Sequence, residues 1–115
     1  MNVWQMTGKG WLVGVLLAAC AAPTLPLPPP VTPIIRDSSR AGYKVLASTK
    51  GVQAGAYVIA LNLNTALSND DRVDGTIADD VGSWQLEMRA TKGDVFEIKQ
   101  QVGGDESPPL TVTVP

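Results

Sequence analysis

The chain has 115 residues, with nine Lys and Arg, eleven Asp and Glu and no His, and its net charge is −2. This length fits one domain rather than two, and the mildly acidic balance argues against binding of nucleic acid and against an electrostatic grip on anionic lipid. With a single Cys and no His, the chain has neither an internal disulfide nor a Cys–His set for zinc.

Motifs for catalysis are missing from the sequence. It contains no Gly-x-Ser-x-Gly elbow for a serine nucleophile and no glycine-rich loop for phosphate. A carboxylate pair for glycoside chemistry needs one acid with a raised pKa in a cleft, whereas the acids here fall in predicted turns. We therefore expect a protein that is not an enzyme and that has no cofactor.

The first nineteen residues have the pattern of an export signal. The amino terminus and Lys9 are positive, and residues 10–19 contain neither charge nor Pro. That apolar segment is about half as long as a helix that spans a bilayer, but it fits a secretory signal peptide followed by small residues for cleavage. A buried core helix is the alternative, but Pro23 and the prolines behind it leave no room for such a helix to pack.

The tetrapeptide Leu17-Ala18-Ala19-Cys20 follows this apolar segment directly and resembles the lipobox of bacterial lipoproteins. The resemblance implies that residues 1–19 are removed and that Cys20, as the first mature residue, carries two or three acyl chains. Two anchoring signals already hold a protein stably on a membrane. Ala21 follows the cysteine instead of Asp, which in the lipoproteins of bacteria with two membranes implies the outer membrane.

Residues 20–42 are predicted to be a tether, because six prolines between positions 23 and 33 favour extended polyproline II. Residues 21–33 would reach about 40 Å at 3.1 Å per residue. A spacer is the favoured interpretation, and a Pro-rich ligand for a partner is the alternative. Ile34 and Ile35 are candidates for a short first strand that covers the edge of the following domain, or for a segment that docks onto a partner chain.

From residue 43 to residue 115 the pattern changes to short strand-like runs separated by Gly, Asn and Asp. The run at 56–63 is apolar on both faces, so we expect a central strand covered on both sides. Residues 84–89 alternate cleanly, which places Trp84, Leu86 and Met88 on the core face. The other predicted runs are residues 43–49, 75–78, 95–102 and 110–114. Strands this short, at spacings near ten residues, predict an all-β antiparallel sandwich.

Three motifs in this region resemble bacterial immunoglobulin-like repeats of surface proteins and adhesins. A Gly-x-x-x-Gly-Ala-x-Val segment occupies residues 51–58, an Ala-Asp-x-x-Gly-Ser-Trp turn occupies residues 78–84, and a Val-Thr alternation closes the chain. The resemblance implies an immunoglobulin-like β-sandwich with tight turns at Gly55 and Gly82 and with Trp84 between the sheets. A sugar-stacking platform is the alternative role for Trp84.

Several aspartates cluster on two neighbouring connections and are the candidates for a calcium site, since calcium binds six to eight oxygen ligands. These candidates are Asp70, Asp71, Asp74, Asp79 and Asp80. Acidic loops are usually solvated turns, and no EF-hand spacing is present, so we expect no metal.

The sequence therefore predicts an exported, lipid-anchored envelope protein that acts as a structural or protein-interaction module, with a protein partner in the envelope. Such a partner would bind Ile34 and Ile35 or an exposed edge strand at residues 43–49 or 110–114. The alternative is a surface-displayed, adhesin-like module that binds host, matrix or polysaccharide through residues 64–73. A calcium-dependent ligand binder is a third possibility.

Overall fold

Short strands joined by turns make up nearly all of residues 25–115, which is the part of the chain that the computed structural model describes. Residues 1–19 and Cys20 lie outside the described residues. The strands are β1 (Ile34–Asp37), β2 (Tyr43–Ser48), β3 (Tyr57–Asn62), β4 (Val73–Ile77), β5 (Trp84–Arg89), β6 (Val95–Val102), β7 (Asp105–Glu106) and β8 (Leu110–Thr113), and the single helical turn α1 is Asn69–Arg72.

The strands form two antiparallel sheets. Sheet A has the order β1-β2-β5, and sheet B has the order β4-β3-β6-β7, with β8 also paired to β6. All the pairings are antiparallel. The inner faces of the two sheets pack on each other, so the predicted all-β sandwich is confirmed.

The core lies between the sheets, where alternate residues of each strand meet. Leu46 from sheet A and Phe96 and Ile98 from sheet B are completely buried, and Trp84 is only 5% exposed. The alternation of β5 follows the expected pattern, with Trp84, Leu86 and Met88 inside. Burial of each large apolar side chain contributes about 1.5–3 kcal/mol. The prediction that Trp84 belongs to the core is confirmed.

The prediction for β3 is correct in one respect and wrong in another. The strand is central, since it pairs with β4 on one side and β6 on the other. Its inner residues, such as Val58, are buried, but Tyr57 on the outer side is 42% exposed. Ile59 and Leu61, also on the outer side, are only half-buried. Strand β3 is therefore apolar on both faces but buried on only one of them.

The end of the predicted tether belongs to the folded domain. Strand β1 pairs with β2 and covers that edge, and Ile35 packs against the core, as one of the two interpretations of the isoleucines predicted. The predicted edge strand at residues 43–49 is therefore wrong, because β2 lies between β1 and β5.

The prolines before β1 also contact the sandwich, in a segment that we call the strap (residues 28–33). Pro30 and Pro33 are buried. The amide of Val31 donates a hydrogen bond to the carbonyl of Gly51 at 2.9 Å. The Gln100 side chain donates from Nε2 to the Pro28 carbonyl at 2.8 Å. The predicted spacer of residues 21–33 therefore includes too many residues, because residues 28–33, the strap, are attached to the domain.

One connection differs in detail from the sequence prediction, and another agrees with it. The polar segment 64–74 contains α1, and β4 begins at Val73, two residues earlier than predicted. The turn between β4 and β5 agrees with the prediction, since Gly82 has a φ of +83°. A Cβ atom at Gly82 would lie 2.0 Å from the Val52 carbonyl oxygen. Any other residue there would combine backbone strain with a steric clash.

The strands divide the connections between two ends of the sandwich. The strap end holds the strap itself and residues 49–56, 78–83 and 103–109, and the loop end holds residues 38–42, 63–72 and 90–94. This arrangement decides which surfaces lie near the point where the chain enters the domain.

Candidate functional site

Strand β1 has an open edge near the strap. Within residues 25–115 it pairs only with β2, so its other edge carries backbone groups without a strand partner. Such an edge is a template for an additional strand. Ile34 is 73% exposed, whereas Ile35 packs on the core. The two isoleucines therefore have different roles, and only Ile34 is available to a partner.

An open groove of about 770 Å³ lies beside β1 and extends over the outer face of sheet A to the end of β4. The register places Ala47 between Ile34 and Gln85 in one cross-strand row. The small Ala47 side chain leaves space between its larger neighbours, which accounts for this part of the groove. Val31, Ile34 and Ile77 give the groove an apolar lining.

Two of these apolar residues are unusually exposed for their type. Ile77 is 71% exposed and Val31 is 61% exposed, in addition to Ile34. Val31 and Ile34 belong to the strap and to β1, which are contiguous, whereas Ile77 comes from β4, far away in sequence. Exposed apolar residues that converge on one groove are typical of a binding surface.

The turn between β4 and β5 forms the border of the groove at Asp79. Its Oδ1 accepts hydrogen bonds from the amides of Val81 at 3.0 Å and Ser83 at 2.8 Å. The amide of Asp79 in turn donates to the Ser83 carbonyl at 3.0 Å. Asp79 therefore fixes the turn, as aspartates commonly do.

Charge near β1 is concentrated at the other end of the strand. The Lys44 ammonium donates a hydrogen bond to Asp37. This hydrogen bond, together with the positive charge of Lys44, holds the pKa of the Asp37 carboxyl below its ordinary value. Arg36 is the charged residue of β1 that lines the groove. The groove is thus apolar near Ile34 and cationic near Arg36.

The five candidate aspartates do not converge. Asp70 and Asp71 lie in α1 before β4, Asp74 is the second residue of β4, and Asp79 and Asp80 follow the strand. A five-residue strand separates these pairs by about 16 Å. Asp71 is held by Arg89, at 3.4 Å, and by the Ser68 hydroxyl, at 3.1 Å. Within residues 25–115, no group of three or more acidic side chains is placed to hold a metal ion.

The aromatic residues of the domain offer no free stacking platform on sheet A. The Trp84 ring is buried, and its Nε1 has no hydrogen-bond partner among the described residues. The Tyr43 ring is covered by the guanidinium groups of Arg40, at 3.8 Å, and Arg89, at 5.0 Å, from the ring centroid. Cations over an aromatic face occupy the surface that a sugar ring would use.

Sequence reasoning missed the groove and the attachment of the strap. The signal for the strap was the position of Gln100, which continues the core-face alternation of Phe96 and Ile98. A polar side chain at a core position must find hydrogen-bond partners. Gln100 finds them in the strap and in the amide of Gln53, which donates to its Oε1 at 2.9 Å.

Within residues 25–115, no helix is both long and apolar enough to cross a membrane. No family model, curated protein or solved structure matches the chain.

Proposed function

We propose that this protein is an exported, lipid-anchored envelope protein that acts, without catalysis, as a protein-interaction module. The open edge of β1 beside the apolar groove carries this proposal. Ile34, at 73% exposure, stands at the junction of the two. The partner is a protein of the cell envelope, and the site of attachment to the membrane is Cys20.

The lipid anchor is supported by the order of segments at the start of the chain. An uncharged segment of residues 10–19 leads to Leu17-Ala18-Ala19-Cys20, and prolines follow. Acylation of Cys20 would hold the domain at the membrane, and Ala21 favours the outer membrane. The Cys20→Ser protein should then leave the membrane fraction. Its retention after carbonate washing would contradict the lipid anchor.

An immunoglobulin-like domain is supported by the strand order. In that fold, strands A, B and E share one sheet, strands C, F and G share the other, and variable-type domains add a C′ strand beside C. Here β1, β2 and β5 correspond to A, B and E, and β3, β6 and β8 correspond to C, F and G. Strand β4 lies beside β3 in the position of C′. Domains of this architecture commonly serve as interaction modules.

The proposed mode of binding is strand addition. An extended segment of the partner would pair with the free backbone of β1 and place alternate side chains in the groove. Val31 and Ile34 would contact its apolar residues, and Arg36 would favour an acidic residue further along. Backbone pairing provides affinity, and the groove provides specificity.

Crosslinking in intact cells tests this mode. A photoreactive residue at Ile34 should capture one stoichiometric envelope protein, whereas the same residue at Thr111, exposed on β8 of the other sheet, should not. A photoreactive residue at Val31 should capture the same protein, and this capture should disappear when Ile34 is changed to Glu. Equal capture at Ile34 and Thr111 would contradict a specific site at β1.

The adhesin-like alternative assigns binding to residues 64–73. In the structure several polar side chains of this segment bond within the domain. Asn64 Nδ2 donates to Asp94 Oδ1 at 3.1 Å, and Arg72 Nε donates to the Asn62 carbonyl at 3.0 Å. These internal bonds leave fewer groups for a ligand and favour the site at β1. Removal of the domain by protease added outside intact cells would support the alternative instead.

A further inference from the structure

The outer side of β3 is apolar along its whole length. Its outward residues, and the one that follows the strand, are all apolar or aromatic: Tyr57, Ile59, Leu61 and Leu63. On the neighbouring strand β6 the outward residues are Glu97, Lys99 and Gln101. Val73 and Ile77 of β4 lie opposite Leu61 and Tyr57 and are 52% and 71% exposed. We call Tyr57, Ile59, Leu61, Leu63, Val73 and Ile77 the β3 face.

The β3 face is flat where it begins. The Tyr57 ring lies across Gly75 of β4, since a Cβ atom at Gly75 would be 2.7 Å from Tyr57 Cζ. The absence of a side chain at Gly75 is what allows the ring to lie down on the sheet. The Tyr57 side chain therefore runs along the surface of the sheet toward Gly75, which lies opposite Ile59, and adds the apolar surface of its ring to this side of the sheet.

We infer that the β3 face lies on the surface of the lipid bilayer, so that the domain rests on the membrane with sheet B down. This inference depends on the proposed lipid anchor at Cys20. No residue of the β3 face is charged, and the charged residues Lys99 and Glu97 border it on β6. An apolar surface with a polar border is suited to the boundary between headgroups and acyl chains.

The length of chain between Cys20 and the strap supports this placement. Seven residues separate Cys20 from Pro28, and they can extend over about 25 Å. Since Gln100 and Gly51 hold the strap at the end where β3 begins, the anchor is never far from Tyr57. The six residues of β3 span about 20 Å, so the tether is long enough for the whole strand to lie along the bilayer.

The size of the β3 face argues against a second copy of the chain as its occupant. Two strands about 4.8 Å apart and about 20 Å long present roughly 200 Å². A stable protein interface buries about 800 Å² on each partner. A contact this small is stable only when a second attachment keeps the two surfaces together. For the bilayer, the proposed lipid on Cys20 is that second attachment.

This orientation complements the proposed function. The groove lies mainly on the outer face of sheet A, opposite sheet B. With sheet B on the bilayer, the part of the groove beside β1 would open away from the lipid and a partner could reach β1 there, whereas Ile77, which lies opposite Tyr57, would be on the lipid side.

A pair of tryptophan variants of the full chain tests the inference. Leu61→Trp places a reporter in the middle of the β3 face, and Gln85→Trp places the matched control at an exposed position on sheet A. Each protein is reconstituted in vesicles of phosphatidylethanolamine and phosphatidylglycerol, with or without lipids brominated on their acyl chains. Bromine quenches only fluorophores that reach the acyl region, so Leu61→Trp should be quenched about twofold more than Gln85→Trp.

Two checks make the comparison decisive. Thermal unfolding verifies that both variants fold, and Leu63→Trp replaces Leu61→Trp if the latter does not. Mass spectrometry of the purified protein shows whether Cys20 is acylated, which tests the proposed anchor by itself. If Cys20 is free, its thiol is coupled to maleimide-phosphatidylethanolamine and quenching is measured in the same way. Signal from Trp84, and from Trp4 and Trp11 where residues 1–19 remain, is common to both variants, so the difference between them reports the introduced tryptophan.

Each outcome has one meaning. Stronger quenching of Leu61→Trp supports the inference, whether the lipid was attached by the cell or by coupling. Equal quenching of the two variants overturns it. Equal quenching together with self-crosslinking at Lys99 overturns it and assigns the β3 face to a second copy.

Discussion

Each end of the sandwich is organised by one buried amide, and the two amides differ in what they bind. At the loop end Asn62 is fully buried, and at the strap end Gln100 is 2% exposed. Both side chains point between the sheets from sheet B. Asn62 has a charged partner, Asp94, whereas Gln100 bonds only to neutral groups.

Asn62 joins three connections at the loop end. Its Nδ2 donates to the Arg89 carbonyl and to Asp94 Oδ2, both at 3.1 Å, and its Oδ1 accepts from the Asn64 amide at 2.9 Å. Asp94 also accepts a hydrogen bond from the amide of Thr91 at 3.0 Å. The end of β5, the turn before β6 and the start of the long connection are thus fixed by one network.

Gln100 joins the strap to the body of the domain. It binds the Gln53 amide and the Pro28 carbonyl, and its own backbone amide donates to the Ser107 hydroxyl at 3.0 Å. The strap end therefore depends on neutral hydrogen bonds and apolar packing. The comparison indicates that the two ends should respond differently to mutation and to pH.

The largest expected effect is at the strap end, where Trp84 fills the core. Trp84→Ala should lower the free energy of unfolding by about 3–5 kcal/mol, because it removes a large buried side chain and leaves a cavity. Urea unfolding measures the loss. Gln85→Ala, next to it but exposed, should change stability by less than about 0.5 kcal/mol. A loss below about 1 kcal/mol for Trp84→Ala would contradict its place in the core.

Asn62→Leu should have the next largest effect, about 2–4 kcal/mol. The apolar side chain keeps the size of Asn62 but leaves the Arg89 carbonyl and the Asp94 carboxylate without a donor. Chemical denaturation gives the value, and Thr65→Ala, exposed in the same connection, is the control. Stability equal to that of the control would show that the network does not hold the loop end.

Gln100→Leu should cost about 1–3 kcal/mol, because it breaks two neutral hydrogen bonds. Its specific effect is on the strap. The amide of Val31, bonded to Gly51, should exchange with solvent faster in Gln100→Leu but not in Asn62→Leu. Gln101→Leu, on the outer side of β6, is the matched control. Unchanged exchange at Val31 would show that the strap is held without Gln100.

The sandwich itself could be predicted from the sequence, because alternation and turn residues act locally. Strand β5 has the predicted bounds, and Gly82 has the positive φ that its turn needs. The roles of Asn62 and Gln100 depend on partners far away in sequence. Alternation places each of them on a core face, but it does not say which carbonyl or carboxylate they reach.

The candidate site was only partly predictable for the same reason. Ile34 and Ile35 stood out in the sequence, but the strand register decides that Ile35 packs on the core and Ile34 does not. The groove combines Val31 and Ile77, which are far apart in the chain. The apolar run of β3 could be recognised in the sequence, but the prediction that β3 is covered on both sides was wrong. A sequence pattern does not show whether another element packs on the outer side of a strand.

The smallest predicted effect separates the two ends by their response to acid. Burial raises the pKa of Asp94, but hydrogen bonds from Asn62, Thr91 and Asn64 outweigh it, so the pKa lies below its ordinary value of 3.8. A lowered folded pKa means that the unfolded chain binds the proton first, so this stability is present above pH 3.8 and is lost as pH falls through the folded pKa.

The free energy of unfolding, measured at pH 7 and pH 3, should therefore fall less on acidification in Asp94→Asn than in the parent. In Gln100→Leu it should fall as much as in the parent, since no ionisable group bonds to the Gln100 side chain. Asp37→Asn and Glu106→Gln are the controls, because their pKa values are also lowered, by Lys44 and Lys99, at fully exposed positions where solvent screens the charges. If Asp94→Asn retained the parent's full acid response, the charged partner of Asn62 would not distinguish the loop end from the strap end.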